Sequence, residues 1–145
     1  MDITIRKAGI NDVDGIMSVE RTGISHPWDK ASIEAEVKDD NKVCVVACAG
    51  EKITGYIYAS FVLDEAEIGN ICVLPELRGQ GVGRKLMEEL LNILKSVEVT
   101  RIFLEVESDN EGAIALYEKC GFVRYNERKD YYGKGRDALL YSCQI

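Results

Sequence analysis

The chain predicts an α/β fold, a mixed sheet covered by helices in the order β-α-α-β-β-β-α-β-α-β-β, and three observations carry that expectation. Short extended stretches, apolar or alternating, recur along the chain and are interrupted by helical patterns. One helical period is long and clean, over residues 82–97, with Val82, Leu86, Leu90, Ile93 and Leu94 on a single face. Between an apolar extended stretch at 68–74 and that helix lies Arg78-Gly79-Gln80-Gly81-Val82-Gly83-Arg84, a turn rich in glycine.

The elements follow in order. Alternation in Ile3-Thr4-Ile5-Arg6 marks a first strand, and Asn11 or Asp12 caps a short helix that turns Val13, Ile16 and Met17 inward. After a break at Ser25-His26-Pro27-Trp28, Asp29 caps a second helix carrying Ile33 and Val37. Extended stretches at 43–49, 53–62 and 67–74 are separated by Gly50-Glu51 and Asp64-Glu65, spacings that suit antiparallel hairpins. The long third helix turns Glu88, Glu89, Asn92 and Lys95 outward, and residues 101–106 return as a strand. Ser108-Asp109-Asn110-Glu111 has the pattern of a capping box for a helix carrying Ala113, Ile114 and Tyr117. That helix stops at Cys120-Gly121, with glycine just past its end. Strands at 122–128 and 138–143 close the order around a Gly133/Gly135 turn.

With 145 residues, no repeats and no linker-like stretch, residues 1–145 are expected to form one domain. No apolar run approaches the ~20 residues of a membrane span, and the first residues lack the plan of a signal peptide, so a cytoplasmic location is the expectation. A formal charge of −7 argues against nucleic acid as a direct partner. It suits a cationic substrate, although acidic residues also serve plain solubility. The five cysteines (Cys44, Cys48, Cys72, Cys120, Cys143) have no metal-ligand spacing, and His26 is the sole histidine, so no metal site is expected.

The glycine turn carries the chemistry. Its main-chain N–H groups lie uncovered where a helix begins, and two arginines flank it, an arrangement that favours a phosphate or pyrophosphate. A plain strand-to-helix turn uses glycine too. The Lys-Ser/Thr ending of a P-loop is absent, and so is the Gly-x-Gly-x-x-Gly of a dinucleotide site, because Arg84, Lys85 and Leu86 follow Gly83. Alternation puts Glu105 on the strand face opposite Ile102, Leu104 and Val106, where it serves either as a proton acceptor or as half of a salt bridge. Tyr117, seven residues after Asn110 and on the same helix face, has a core-packing alternative.

From end to end the chain resembles the GNAT superfamily of N-acetyltransferases. The likeness rests on Asn70-Ile71-Cys72-Val73, on Leu77 through Arg84, on Leu104-Glu105-Val106 and on the run from Asn110 to Phe122. Pro27-Trp28, Leu63-Asp64-Glu65-Ala66 and Tyr131-Tyr132 further resemble the type that acetylates the N-terminal alanine of ribosomal proteins.

The resemblance implies acetyl-CoA as co-substrate, its pyrophosphate held by Arg78, Gly79, Gln80, Gly81, Val82, Gly83 and Arg84. It places the pantetheine arm along the main chain of Ile71, Cys72 and Val73, with a Val73 amide toward the thioester oxygen and Asn110 near the arm or its own backbone. It implies that Glu105 accepts the proton of the amine and that Tyr117 protonates the departing thiolate, by direct attack in a ternary complex. A covalent route through Cys72 or Cys120 lacks a histidine placed to activate either thiol.

The acceptor is expected to be a protein N-terminus, with a small-molecule amine or a lysine as the alternative. Its recognition would fall to the loop at His26-Pro27-Trp28 and to residues 130–137. Asp64, Glu65 and Glu67 would meet basic residues of a substrate tail or stay solvated. A monomer is the default, and a homodimer through the late strands stays open.

Overall fold

The computed structural model describes residues 2–23 and 29–145. Among them the strands are β1 (Thr4–Lys7), β2 (Lys42–Ala49), β3 (Lys52–Val62), β4 (Glu65–Val73), β5 (Arg101–Glu107), β6 (Val123–Gly133) and β7 (Arg136–Gln144). The helices are α1 (Val13–Gly23), α2 (Lys30–Lys38), α3 (Val82–Ser96) and α4 (Glu111–Lys119), so the order read from sequence is the observed one. One mixed sheet runs β1-β2-β3-β4-β5-β7-β6, antiparallel throughout except between β4 and β5.

Each face of the sheet buries its own cluster. Val82, Leu86, Met87, Leu90 and Leu94 of α3, with Tyr117 of α4, pack on Val45, Ile57, Ile68, Ile102 and Leu104. On the other face Val13, Ile16 and Val19 of α1 and Ile33 of α2 meet Cys44, Val46, Tyr56, Tyr58 and Cys72. The period-2 alternation of side chains lets the strands serve both clusters at once. Met87, absent from the expected face of α3, is fully buried, while Ile93 only packs at the margin.

Local chemistry sets the ends of the helices. The Asp29 side chain accepts from the Ser32 amide at 2.8 Å and starts α2 as expected. Asp12 does not cap α1 in the expected way. It is buried in a 3-10 turn, accepts from the Gly9 amide at 2.7 Å, and takes a two-pronged bond from Arg6 at 2.7 and 2.8 Å. Nor is Ser108 the cap of α4. Asn110, nearer the helix, accepts from the Ala113 amide at 3.2 Å, so the cap sits two residues later than the capping-box pattern suggested.

Two irregularities position the site. Tyr58 pairs with Asn70 and Ala59 with Ile68, so Gly69 is an extra residue that bends β4. A side chain there would run into the Tyr58 ring, which explains the glycine. Beyond that bulge β4 leaves β5: their parallel ladder covers Glu65 to Ile68 against Arg101 to Leu104 and then stops. The strands diverge from there into a gap.

Candidate active site

The β4 edge of the gap is built from main chain. Leu74 donates to Thr54 O at 2.9 Å across the β3 ladder. In an antiparallel ladder the bonded pairs alternate, so Cys72, opposite Tyr56, also turns its N–H and C=O toward β3. Ile71 and Val73 turn theirs the other way, into the gap. Two side chains already touch that edge: Asn70 Oδ1 accepts from the Ile71 amide at 2.9 Å, and Arg78 Nε donates to Val73 O at 3.0 Å. The Cys72 side chain points away, toward α1, with Sγ 3.5 Å from Val19 O. Burial pushes its thiol pKa up, against the lowering pull of Arg78, which makes it a poor nucleophile.

At the end of β4 the chain makes a 3-10 turn (Pro75–Leu77) and then the glycine turn. Gly79 and Gly81 have φ of +76° and +85°, and no atom lies within 4 Å of where a side chain would begin at either. Gly81 is the N-cap of α3 in the left-handed region, which L side chains rarely adopt. The first amides of a 15-residue helix therefore open onto uncovered space. The Val82 side chain is buried, which leaves only its main chain to face the turn. Gln80 bonds back to Glu76 O at 3.2 Å, and Arg84 pairs with Glu88 at 3.3 Å on the solvent side of α3. Both arginines are exposed.

Across the gap stands Glu105, half-buried on β5 opposite Leu140 and on the sheet face of α1 and α2, with Phe103 and Glu107 beside it in alternation. It follows by one residue the last β5 residue paired with β4, so it borders the gap. The β6–β7 hairpin leans over it. Glu107 takes two bonds from Arg136, at 2.7 and 3.2 Å, and Arg136 in turn donates to Tyr132 O at 3.2 Å and lies 6.0 Å from that ring. This clamp holds Tyr132 where its phenol feels both centres: its pKa is raised by burial first and then by the Glu105 charge, and it acts electrostatically on Tyr117.

Tyr117 is 5% exposed, its ring 6.0 Å from Phe122, and burial followed by Tyr132 pushes its pKa up to about 12. It is a protonated donor at every ordinary pH. Asn110 spends its side-chain oxygen on the helix cap.

The structure thus brings Ile71, Val73, the glycine turn and Glu105 to the mouth and edges of one gap, with Tyr132 within electrostatic reach of both Glu105 and Tyr117. Sequence reading included Tyr132 only within residues 130–137, the segment expected to meet the acceptor, and gave it no relation to Glu105 or Tyr117. The loop at His26-Pro27-Trp28 lies outside the described residues. Among the described residues no group of three or more His, Cys, Asp or Glu side chains could hold a metal, and no helix is long and apolar enough to cross a membrane.

A strand edge with free main-chain groups, running into an open glycine turn at a helix N-terminus, fits coenzyme A and points to an acyl-CoA-dependent acyltransferase. Comparison with known proteins agrees. The profile of the Acetyltransferase (GNAT) family matches residues 13–122. An Escherichia coli (strain K12) [ribosomal protein bS18]-alanine N-acetyltransferase is 32% identical over 145 residues, covering 98% of this chain and 97% of that protein. The crystal structure of the E. coli ribosomal-protein-S18-alanine N-acetyltransferase superposes with a TM-score of 0.89 at 29% identity, over 99% of this chain and 94% of the other. Arabidopsis thaliana NAA60, solved in complex with acetyl-CoA, shares the fold at a TM-score of 0.88 and 19% identity, over 99% of each chain. The chain belongs to the GNAT acetyltransferase family and is an acetyl-CoA-dependent N-acetyltransferase.

Proposed function

We propose that this enzyme acetylates the N-terminal α-amino group of a protein, and that its target is the N-terminal alanine of ribosomal protein bS18. The observation that carries the chemistry is the position of Glu105 on the gap, across from the Ile71–Val73 edge and next to Tyr132. The target itself is supported by what the E. coli relatives are named for.

Acetyl-CoA supplies an activated acyl thioester. The chain's own groups do the rest. Main-chain amides at 79–83 bind the pyrophosphate, and the edge at Ile71 and Val73 pairs with the arm. The Val73 amide stabilises charge developing on the thioester oxygen, a kind of bond worth about 3 kcal/mol in well-studied enzymes. Glu105 accepts a proton from the incoming ammonium, directly or through water, and Tyr117 gives its proton to the departing sulfur. Attack is direct, in a ternary complex. An α-amine loses its proton near pKa ~8 against ~10.4 for lysine, roughly 3.5 kcal/mol easier at neutral pH, so one modest carboxylate suffices. Residues 1–145 work as a single catalytic domain.

The test is a mass-spectrometric assay with acetyl-CoA and peptides that begin with Ala, Ser or Met, alongside N-blocked lysine peptides and polyamines. Acetylation at the α-amine, fastest on the bS18 sequence, is the expected outcome. Modification of only lysine or only polyamines overturns the reading.

A further inference from the structure

A buried carboxylate lies in α1 outside the chemistry described so far. Glu20 is 1% exposed, on the helix face that also buries Val13, Ile16 and Val19. Carboxylates are rarely placed there, because desolvation costs several kcal/mol and an apolar side chain packs as well or better. One bond that offsets this cost comes from the sheet: Tyr56 OH donates to Glu20 Oε1 at 2.7 Å. Tyr56 is itself fully buried in β3, its ring stacked on Tyr58 with centroids 5.8 Å apart and planes 5° from parallel.

The direction of the remaining bonds follows. Burial and the Glu20 charge hold the Tyr56 phenol protonated, so its one proton goes to Glu20 and its oxygen is left to accept. It accepts from Asn70 Nδ2 at 3.1 Å. The Asn70 amide is thereby fixed with Oδ1 toward the Ile71 N–H, at 2.9 Å. A chain of three hydrogen bonds runs from the centre of α1 to the edge of β4, and it reaches that edge next to the Gly69 bulge, where the strand turns away from β5. Its last bond engages one of the two β4 amides that face the gap. The other belongs to Val73.

We propose that Glu20 is a positioning residue for acetyl transfer: through Tyr56 and Asn70 it fixes the bulged stretch of β4 and engages the Ile71 amide, so that the thioester carbonyl meets the amide of Val73. The inference rests on the open edge of β4 receiving the acetyl-CoA arm. Reacting groups tolerate little misplacement, about 1 Å costing up to ~10²-fold in rate, so the buried cost of the chain has a functional return.

The experiment compares wild type with Glu20→Gln, Glu20→Leu, Tyr56→Phe and the double variant Glu20→Leu/Tyr56→Phe. Acetyl-CoA carrying 13C at the thioester carbonyl is bound to each, and the infrared carbonyl frequency is read beside calorimetric affinity. The kcat for an alanine-starting peptide is normalised to calorimetric sites, so that loss of folded protein does not count as loss of rate. In wild type the bound carbonyl frequency should fall below that of the free thioester. Glu20→Leu and Tyr56→Phe should move it back toward the free value and lower kcat about tenfold, with acetyl-CoA affinity within about twofold. Glu20→Gln, whose amide oxygen still accepts from Tyr56, should stay near wild type. The double variant should be no worse than either single one, because all act through one chain. Tyr56→Phe keeps the packed ring and so tests the chain even where Glu20→Leu fails to fold. Wild-type frequency and kcat in variants that bind acetyl-CoA would overturn the proposal. A wild type without a carbonyl shift would overturn the placement of the thioester itself, and this proposal with it.

Discussion

Ile68 of β4 lies opposite Leu104 of β5, and theirs is the last pair between the two strands. Up to this point the sheet is continuous; past it, each strand presents a free edge. Main-chain groups of Ile71 and Val73 face one side of the opening and Glu105 borders the other, with no loop needed to bring them together.

Replacing Glu105 with Gln keeps the shape and removes the proposed proton acceptor. The kcat for an N-terminal alanine peptide should fall ~10²- to 10⁴-fold, the usual range for loss of a general base. Affinity for acetyl-CoA, measured by calorimetry, should change less than about twofold, since the proposed pyrophosphate site lies elsewhere, at the glycine turn.

Tyr117→Phe should lower kcat while leaving acetyl-CoA affinity close to wild type. Because the Tyr117 pKa is raised to about 12, the wild-type rate should show no loss from its ionisation until roughly pH 11. The sign for stability agrees. A phenol that holds its proton more tightly when folded contributes stability below its ordinary value near 10 and loses it as pH rises through about 12. Phenolate absorbance near 295 nm, compared between wild type and variant, should show no step from this residue at pH 10.

Gly81→Ala places a side chain in the left-handed region at φ +85° with open space around it, so the penalty is conformational and not steric. The loss of stability should be ~1–2 kcal/mol by denaturant unfolding. Weaker acetyl-CoA binding should accompany it, because the turn that presents the amides is distorted.

Asp12→Asn tests the ion pair at the foot of α1. Arg6 holds the Asp12 carboxyl below the usual carboxylate range, with the Gly9 amide adding to the effect. A depressed carboxyl contributes stability above its unfolded pKa near ~3.9 and loses it as pH falls through the lower folded value. The Arg6 side chain is 47% exposed, so solvent screening limits the contribution to about 1 kcal/mol at pH 7. The difference between wild type and variant should shrink toward zero in acid, as measured by urea unfolding at pH 7 and at pH 2–3.

Much of this was legible in the chain because local chemistry and tertiary packing agreed. The order of elements followed from periodicity, and the glycine turn announced itself through three glycines where a strand meets a helix. Glu105 stood out as a carboxylate among alternating apolar residues, whereas Asn110 was singled out through the family resemblance alone. The Ser108 pattern lost to Asn110, which lies two residues nearer the helix and accepts from the Ala113 amide. Where the reading missed elsewhere, the determinant was long-range. Tyr132 sits beside Arg136, which pairs with Glu107 from 29 residues away and so ties the hairpin to β5. The Glu20–Tyr56 bond spans 36 residues. Its one sequence trace was an acidic residue on the apolar stripe of α1, in phase with Val13 and Ile16.

The gap divides the labour between two kinds of atom. In the proposed arrangement the donor side is gripped almost wholly by peptide backbone, which drift in amino-acid identity leaves intact so long as the bend and the bulge survive. On the side assigned to the acceptor the walls are carboxylate, phenol and guanidinium, each open to exchange by a single codon. Descendants of such a chain can take up a new amine without relearning how to hold the old coenzyme.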